Sequence, residues 1–238
     1  MGTYAKEELL ACVIARLLDG ARHAAIGASS PIPASGAFLH QQKDATFRVS
    51  LQQRRAANPF TEGSRELFDL AGQGRIDVFF LGGAQIDGEG AINLVRAGGK
   101  RFPGSFGSAY MYPVVPRTIL FREEHSRRTL VPRVEFVSAR GTPAALLTGK
   151  ALFSWLSDQR RFRLESVHPG SSMEDVKKNT GFDYDAPQHA PQTPEPDKDE
   201  LALLRGPVAS EIAMNYPEFA GKIWGIAKPE APTKGEQP

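Results

Sequence analysis

The first fifty residues alternate between two kinds of apolar pattern, and this alternation limits the possible folds more than any other feature. Apolar residues at positions 9, 10, 13, 14, 17 and 18 recur at helical spacing. A strand pattern follows at 23–27, a second helical segment at 31–42 and a second strand pattern at 46–51. Helix, strand, helix and strand in this order are typical of an α/β domain with parallel strands.

The alternation continues through most of the chain. A helix is expected at 62–71 and a buried strand at 77–81. Further strands are expected at 117–122, 133–138 and 151–155, and 161–167 is expected to form a hairpin with the strand before it. A capped helix is expected at 173–179, and a short helix at 199–204 that Gly206 and Pro207 end. These patterns predict one domain over 1–185, a C-terminal arm with short helices over 186–227 and a disordered tail over 228–238.

Composition narrows the function classes. The 238 residues carry 29 basic and 27 acidic side chains, and this balance argues against a nucleic-acid-binding protein. The one cysteine, Cys12, lies in an apolar helical stretch, which fits a reducing compartment and a buried thiol. No apolar run is long enough for a membrane span, and no signal-peptide pattern is present. We therefore expect a cytoplasmic protein with no membrane contact.

The stretch 79–95, FFLGGAQIDGEGAINLV, is the strongest candidate for a ligand site. A buried strand runs into Gly82 and Gly83, and backbone without Cβ atoms can approach a ligand closely. A second small-residue loop follows at 101–108. In an open α/β sheet, loops at the carboxyl ends of strands form the ligand crevice. The glycine spacing matches neither a dinucleotide fingerprint nor a Walker A loop, and the five histidines show no metal-site spacing.

Four segments carry a resemblance to a known family. They are LGGAQID at 81–87 with Asn93 after it, RFPGSFGSA at 101–109, RTILFR at 117–122 and HPGSSMEDVKKNTGFDYD at 168–185. Together they resemble the family I CoA-transferases, specifically the B (β) subunit of the glutaconate CoA-transferase type, over about residues 5–185. The resemblance implies an α/β fold of the NagB/RpiA-like type, an open and mostly parallel sheet flanked by helices with a C-terminal arm.

The same resemblance implies partners and chemistry. The expected partners are a homologous α subunit and an acyl-CoA substrate, and the expected cofactor is none bound permanently, with the coenzyme A thioester as substrate. In the family a glutamate carboxylate attacks the thioester, giving an acyl anhydride and then a glutamyl-CoA thioester. Here the matching strand is 47–51, and Ser50 or a neighbour stands at the glutamate's place. Between Asp44 and Glu62 there is no acidic residue.

Three interpretations stay open at this point. The chain is a β subunit whose α partner supplies the glutamate, as in an acyl-CoA hydrolase or a ring-cleaving enzyme. Alternatively it is a true transferase that uses another acid, with Glu62 the nearest candidate. In the third interpretation it is a non-catalytic subunit that shapes the CoA site.

Individual residues in the two loops are candidates for contact with the substrate, each against a simpler structural role. Gly82 and Gly83 would allow close approach, while Gln85 and Asp87 would bond either the ligand or their own turn. The other candidates are an asparagine that matches the family, two glycines whose N–H groups would face a thioester oxygen, an aromatic residue where the family usually has glycine, and two arginines suited to CoA phosphates or to plain solvation: Asn93, Gly104, Gly107, Phe106, Arg54 and Arg55. No metal ligands are expected.

Overall fold

The computed structural model describes residues 4–53, 60 and 62–226. In the first half of the chain these form α1 (Lys6–Leu17), β1 (His23–Ile26), α2 (Pro31–Lys43), β2 (Arg48–Leu51), α3 (Ser64–Gly72), β3 (Val78–Leu81), β4 (Gln85–Asp87), β5 (Ala91–Asn93), β6 (Arg96–Ala97), β7 (Lys100–Arg101) and α4 (Ser108–Val114). The second half contains β8 (Arg117–Arg122), β9 (Leu130–Val131), β10 (Ala139–Arg140), β11 (Ala145–Thr148), β12 (Ala151–Leu156), β13 (Arg161–Val167), α5 (Met173–Asn179), α6 (Lys198–Leu203), a π-helical turn (Leu204–Val208), α7 (Ala209–Asn215) and α8 (Pro217–Trp224). The expected tail at 228–238, and Arg54 and Arg55, lie outside the described residues.

A seven-stranded sheet in the order β13-β12-β11-β8-β3-β1-β2 is the centre of the fold. The five strands from β2 to β11 pair in parallel, and β12 and β13 add an antiparallel hairpin at one edge. This confirms the α/β class and the mostly parallel sheet. The hairpin expected at 161–167 is confirmed as well, because β13 pairs with β12 along its whole length.

Each face of the sheet is covered by its own hydrophobic core. On one face α1, α2 and the C-terminal helices bury residues such as Ile14, Leu39 and Ile212. On the other face α3, α4 and the small strands after β3 bury Leu67, Tyr112 and Ile92. The strands supply both cores by alternation, so that Phe80 belongs to the first and Phe79 to the second.

The strand expected at 133–138 is wrong. The backbone there is bonded to side chains and to a neighbouring strand end instead of to a ladder of its own. Val134 N–H donates to Asp87 Oδ2 at 3.2 Å and Glu135 N–H donates to Gln85 Oε1 at 3.1 Å. The segment is therefore a loop that seals the four-stranded sheet, whose order is β10-β5-β4-β9.

The expectation that Gly206 and Pro207 end a helix is also wrong. The chain passes from α6 through the π-helical turn directly into α7. Leu204, Val208 and Ile212 are each fully buried in the first core, at a spacing that needs continuous helix. Burial of this stripe outweighs the helix-breaking tendency of the two residues, and the missing hydrogen bond at Pro207 is absorbed by the wider turn.

Before α6 the arm runs along the sheet edge. Single bridges join Asp185 to Arg163 and Gln192 to Val167, both in β13. No helix within 4–53 or 62–226 is long and apolar enough to cross a membrane.

Candidate functional site

A crevice opens where two neighbouring parallel strands send their connections to opposite sides. β1 continues towards β2 and β3 towards β8, so the loops after β1 and β3 separate at the carboxyl edge of the sheet. Two cavities of about 740 and 1110 Å³ lie there. They share Ser29 and Ser30 from the first loop, Gly82 from the second and Arg122 at the end of β8. The two cavities are therefore halves of one crevice.

The glycine pair after β3 serves the backbone as much as the crevice. A Cβ on Gly83 would lie 2.6 Å from the carbonyl oxygen of Gln85, which is too close for any other residue. A Cβ on Gly82 would lie 3.3 Å from the carbonyl oxygen of Phe121. Both glycines line the larger cavity. The structure thus supports the expected close approach at this loop and adds a packing reason for Gly83.

Gln85 and Asn93 form a buried amide pair beside the larger cavity. Asn93 Nδ2 donates to Gln85 Oε1 at 2.8 Å, and Gln85 Nε2 donates to Glu135 Oε1 at 2.8 Å. Asn93 is completely buried and its amide also accepts and donates bonds to the backbone at Val95 and Arg96. Gln85 and Glu135 line the cavity, whereas Asn93 stands behind them as a support.

Asp87 closes a turn and does not line the crevice. Its Oδ1 accepts the N–H groups of Glu89 and Ala91 at 3.1 and 3.0 Å, and its Oδ2 accepts that of Val134. Tyr112 donates its hydroxyl to the Gly90 carbonyl in the same turn, and burial raises the pKa of this phenol. Asp87 thus fixes the shape of the loop between β4 and β5.

The second small-residue loop forms one wall of the larger cavity. Gly104 has a φ of +121°, a conformation reserved for glycine, and lines the cavity together with Phe106. Gly107 does not line it, because a Cβ there would lie 2.2 Å from the ring of Phe68. Gly107 therefore serves as the contact between the loop and α3.

Ser50 points away from the crevice. Its hydroxyl bonds His23 Nε2 at 2.8 Å, and His23 Nδ1 bonds the Arg75 carbonyl at 2.8 Å. Because Nδ1 faces a carbonyl it carries the proton, so Nε2 accepts from Ser50. Burial lowers the pKa of His23, which keeps the ring neutral. This pair links the edge strand β2 to β1, and neither residue lines a cavity.

Gln52 is the neighbour of Ser50 that reaches the site. Its backbone continues the strand register, with the N–H donating to the Ile26 carbonyl at 3.0 Å, and its side chain lines the larger cavity. Gln52 Nε2 is buried and has no hydrogen-bond partner among the described residues. Glu62, the other acid considered, is exposed, pairs with Arg65 at 3.3 Å and lines neither cavity.

The charge around the larger cavity is mainly positive. Arg122, Arg127, Arg128 and Lys100 line it, against the single carboxylate of Glu135 among the described lining residues. Arg122 Nε is buried without a hydrogen-bond partner in the described part of the chain, while its Nη2 bonds Glu124. The crevice is therefore suited to an elongated anionic ligand. The described residues contain no group of three or more His, Cys, Asp or Glu that would hold a metal ion.

Sequence reasoning missed Gln52, Glu135 and the arginines around the crevice. Gln52 follows a strand at the distance where alternation returns the side chain to the face of Ser50, and this period of two was the available signal. Glu135 could not be found, because its position depends on the loop that replaced an expected strand. The arginines were interpreted as solvated surface, and only the fold places them at one cavity.

Comparisons with known proteins give the crevice a context. The family model described as Coenzyme A transferase matches residues 40–179. The β subunit of 3-oxoadipate CoA-transferase from Pseudomonas knackmussii is 29% identical over 153 residues, 56% of this chain and 58% of that protein. The β subunit of glutaconate CoA-transferase from Acidaminococcus fermentans is 29% identical over 150 residues, 54% of this chain and 55% of that protein. The chain thus spans little more than half the length of these two curated relatives.

Among solved structures, the decarboxylase AibA/AibB has a similar fold. The TM-score is 0.77 at 24% identity, and the alignment covers 93% of this chain and 99% of that one. At this identity the likeness concerns the fold alone. It extends well beyond residues 40–179 and includes most of the C-terminal helices, since so little of either chain is left out.

Proposed function

Because the chain belongs to the coenzyme A transferase family, we propose that it is the β subunit of a heteromeric enzyme that acts on acyl-CoA thioesters with a homologous α subunit. The observation that carries this proposal is the crevice at the carboxyl edge of β1, β3 and β8. The matched residues 40–179 contain β2, β3, β8 and both glycine loops, which supply most of its lining. We also propose a cytoplasmic location, supported by a single cysteine that is buried and free.

The lining matches the two chemical ends of an acyl-CoA. CoA carries phosphates, and the arginines around the larger cavity offer guanidinium groups suited to them. The acyl part is less polar, and Leu94, Phe102 and Phe106 supply apolar walls. Gly82, Gly83, Gln85 and Gly104 lie between these regions in the same lining, while Asp87, Asn93 and Gly107 hold the loops that present them.

Gln52 defines what this subunit contributes to the chemistry. A carboxylate at this place would attack the thioester carbonyl and expel the CoA thiolate, leaving an acyl anhydride. A primary amide is not a comparable nucleophile, but its free N–H can donate to the thioester oxygen and stabilise the charge that develops there. We therefore assign nucleophilic attack to a carboxylate of the α subunit or to water, with Gln52 as the hydrogen-bond donor.

Two other functions remain tied to specific observations. Gln52 in place of an acid favours an acyl-CoA hydrolase or a ring-cleaving enzyme whose catalytic glutamate lies in the α subunit. A non-catalytic CoA-binding subunit is favoured by the same amide if the partner adds no acid. The exposed position of Glu62, away from both cavities, gives the transferase that relies on it no geometric support.

The test is to produce the chain together with a homologous α subunit and to follow release of free CoA from acyl-CoA thioesters. Turnover that requires an added acceptor acid supports a transferase, and turnover in water alone supports a hydrolase. Retained CoA binding without turnover supports the non-catalytic subunit. A chain that binds neither CoA nor any acyl-CoA, with or without its partner, contradicts the proposal as a whole.

A further inference from the structure

Phe106 combines two features that are unfavourable in the free protein. Its φ is +46°, in the left-handed region where side chains with a Cβ clash with their own backbone. Its side chain is also 65% exposed, more than any other large hydrophobic residue in the described part of the chain. Strained, exposed positions of this kind concentrate where a ligand is bound.

The loop presents this ring in one fixed place. The ring centroid of Phe106 lies 5.5 Å from that of Phe68, which in turn lies 5.7 Å from that of Tyr110. Gly107 sits against the ring of Phe68 with no room for a Cβ, so the backbone beside Phe106 cannot slide along α3. The ring is therefore held at the wall of the larger cavity by contacts that do not themselves cover it.

The surroundings indicate what covers the ring. Phe106 lines a concave space of about 1110 Å³ together with Leu94, Phe102 and Pro103. A small apolar group that enters this space would bury the exposed ring and gain the dispersion contacts that the ring now lacks. On the function proposed above, the apolar part of the ligand is the acyl group and not CoA.

We propose that Phe106 is a specificity-determining residue that packs against the acyl group of the thioester and selects bulky apolar acyl groups, branched or cyclic, over short ones. This inference rests on the proposed function, because it assigns one wall of the same crevice. Aromatic rings contribute contact area and no hydrogen-bond acceptor of comparable strength, so selection falls on apolar area. The strain at φ of +46° is retained because a glycine would supply no such area.

The experiment compares wild type, Phe106→Gly and a matched control, Arg160→Gly, each as the full chain assembled with its α subunit. Arg160 also has a positive φ, +50°, but lies in the turn between β12 and β13 and lines neither cavity. Calorimetric dissociation constants are measured for CoA, acetyl-CoA, butyryl-CoA and cyclohexanecarbonyl-CoA. Thermal unfolding of each variant is recorded alongside.

In wild type and Arg160→Gly, affinity is expected to rise from acetyl-CoA to cyclohexanecarbonyl-CoA. In Phe106→Gly the cyclohexanecarbonyl-CoA affinity is expected to fall about tenfold while CoA itself is unchanged. Both glycine variants should unfold at or above the wild-type temperature, because both relieve a left-handed side chain.

Equal affinities across the acyl series in wild type, with CoA still bound, would overturn this inference and leave the proposed function standing. Loss of assembly with the α subunit in Phe106→Gly alone would also overturn it, since the ring would then serve a protein partner. Failure of wild type to bind any of the four compounds would overturn the proposed function itself.

Discussion

At the scale of single residues, Ser50 and Gln52 show how two positions on one face of a strand divide their roles. Both side chains point to the same side of the sheet, but Ser50 lies within β2 and Gln52 just beyond it. The hydroxyl of Ser50 is held by His23, whereas the amide of Gln52 reaches the cavity with its Nε2 unpaired among the described residues. The residue beyond the strand end is therefore the one placed for chemistry.

Replacing Gln52 by glutamate is expected to create a nucleophile in the crevice. In the assembled protein, Gln52→Glu incubated with an acyl-CoA should gain a covalent CoA adduct on this chain, because a carboxylate placed there can attack the thioester. Intact-mass measurement detects the adduct. Gln53→Glu is the matched control, since Gln53 is adjacent and lines neither cavity. An adduct on wild type at any other acid would contradict the assignment of Gln52.

Removing the hydroxyl of Ser50 is expected to weaken folding and to leave the chemistry intact. Ser50→Ala leaves the buried Nε2 of His23 without its donor, which costs about 1 to 2 kcal/mol in the free energy of unfolding. Urea unfolding measures this loss. Turnover of the folded enzyme should stay at the wild-type value, and a loss of turnover at unchanged stability would place Ser50 in the site after all.

At the scale of elements, the buried carboxylate of Glu8 joins α1 to the C-terminal helices. Glu8 accepts hydrogen bonds from Arg205 Nε at 2.8 Å and from Trp224 Nε1 at 3.1 Å, and its side chain is 3% exposed. Burial by itself raises the pKa of Glu8, but the bonds from Arg205, Ala5 and Trp224 outweigh it and the net pKa is lowered. Glu200 plays the same part for α6, with Arg16 and Lys43 as donors.

Truncating Arg205 is expected to loosen the C-terminal helices. Arg205→Ala leaves the Glu8 carboxylate buried with fewer donors, which should lower the free energy of unfolding by about 2 to 3 kcal/mol. Lys222→Ala is the control, because Lys222 pairs with Glu7 at 3.4 Å on the surface and should matter by about 0.5 kcal/mol or less. Chemical unfolding compares the two. Equal losses would mean that burial of Glu8 adds nothing to its pairing.

The elements also show how far sequence patterns reach. β1, β3, β8 and the β12–β13 hairpin were predictable because alternation and apolar runs act locally. The segment 133–138 alternates in the same way but forms no strand, since its N–H groups are taken by Asp87 and Gln85, residues nearly fifty positions away. Helix α7 was hidden for a similar reason, because the burial of Val208 that carries the chain past Pro207 depends on a core built from the N-terminal half. Both failures are failures to foresee tertiary contacts.

The site divides along the same line. Gly82, Gly83, Gln85, Gly104 and Phe106 were predictable as a group, because each belongs to a loop that leaves an apolar run. Gln52 and Glu135 join them only through the sheet order and the loop after β9. Asp87 and Asn93 were found by the same pattern, but their hydrogen bonds show them supporting the loop from behind.

At the scale of the whole molecule, two buried histidines attach the C-terminal segments to the main sheet. His125 bonds the hydroxyls of Thr148 and Thr180, and His168 bonds the hydroxyl of Thr193 and the carbonyl of Thr148. Thr148 ends β11, Thr180 follows α5 and Thr193 lies in the arm. Both rings are neutral, because burial lowers the pKa of each to about 4.

The stability of the whole chain should therefore fall as the pH drops from about 6.5 to about 4. In this window the unfolded histidines bind protons that the folded ones refuse, so the folded state loses up to about 3 kcal/mol per histidine and the loss is complete below the folded pKa. His23, whose pKa burial also lowers, acts in the same direction. Urea unfolding at a series of pH values measures the slope. His168→Gln should reduce it, whereas His189→Gln should not, because His189 is exposed; an equal slope in wild type and His168→Gln would show that His168 is not protonated on unfolding in this window.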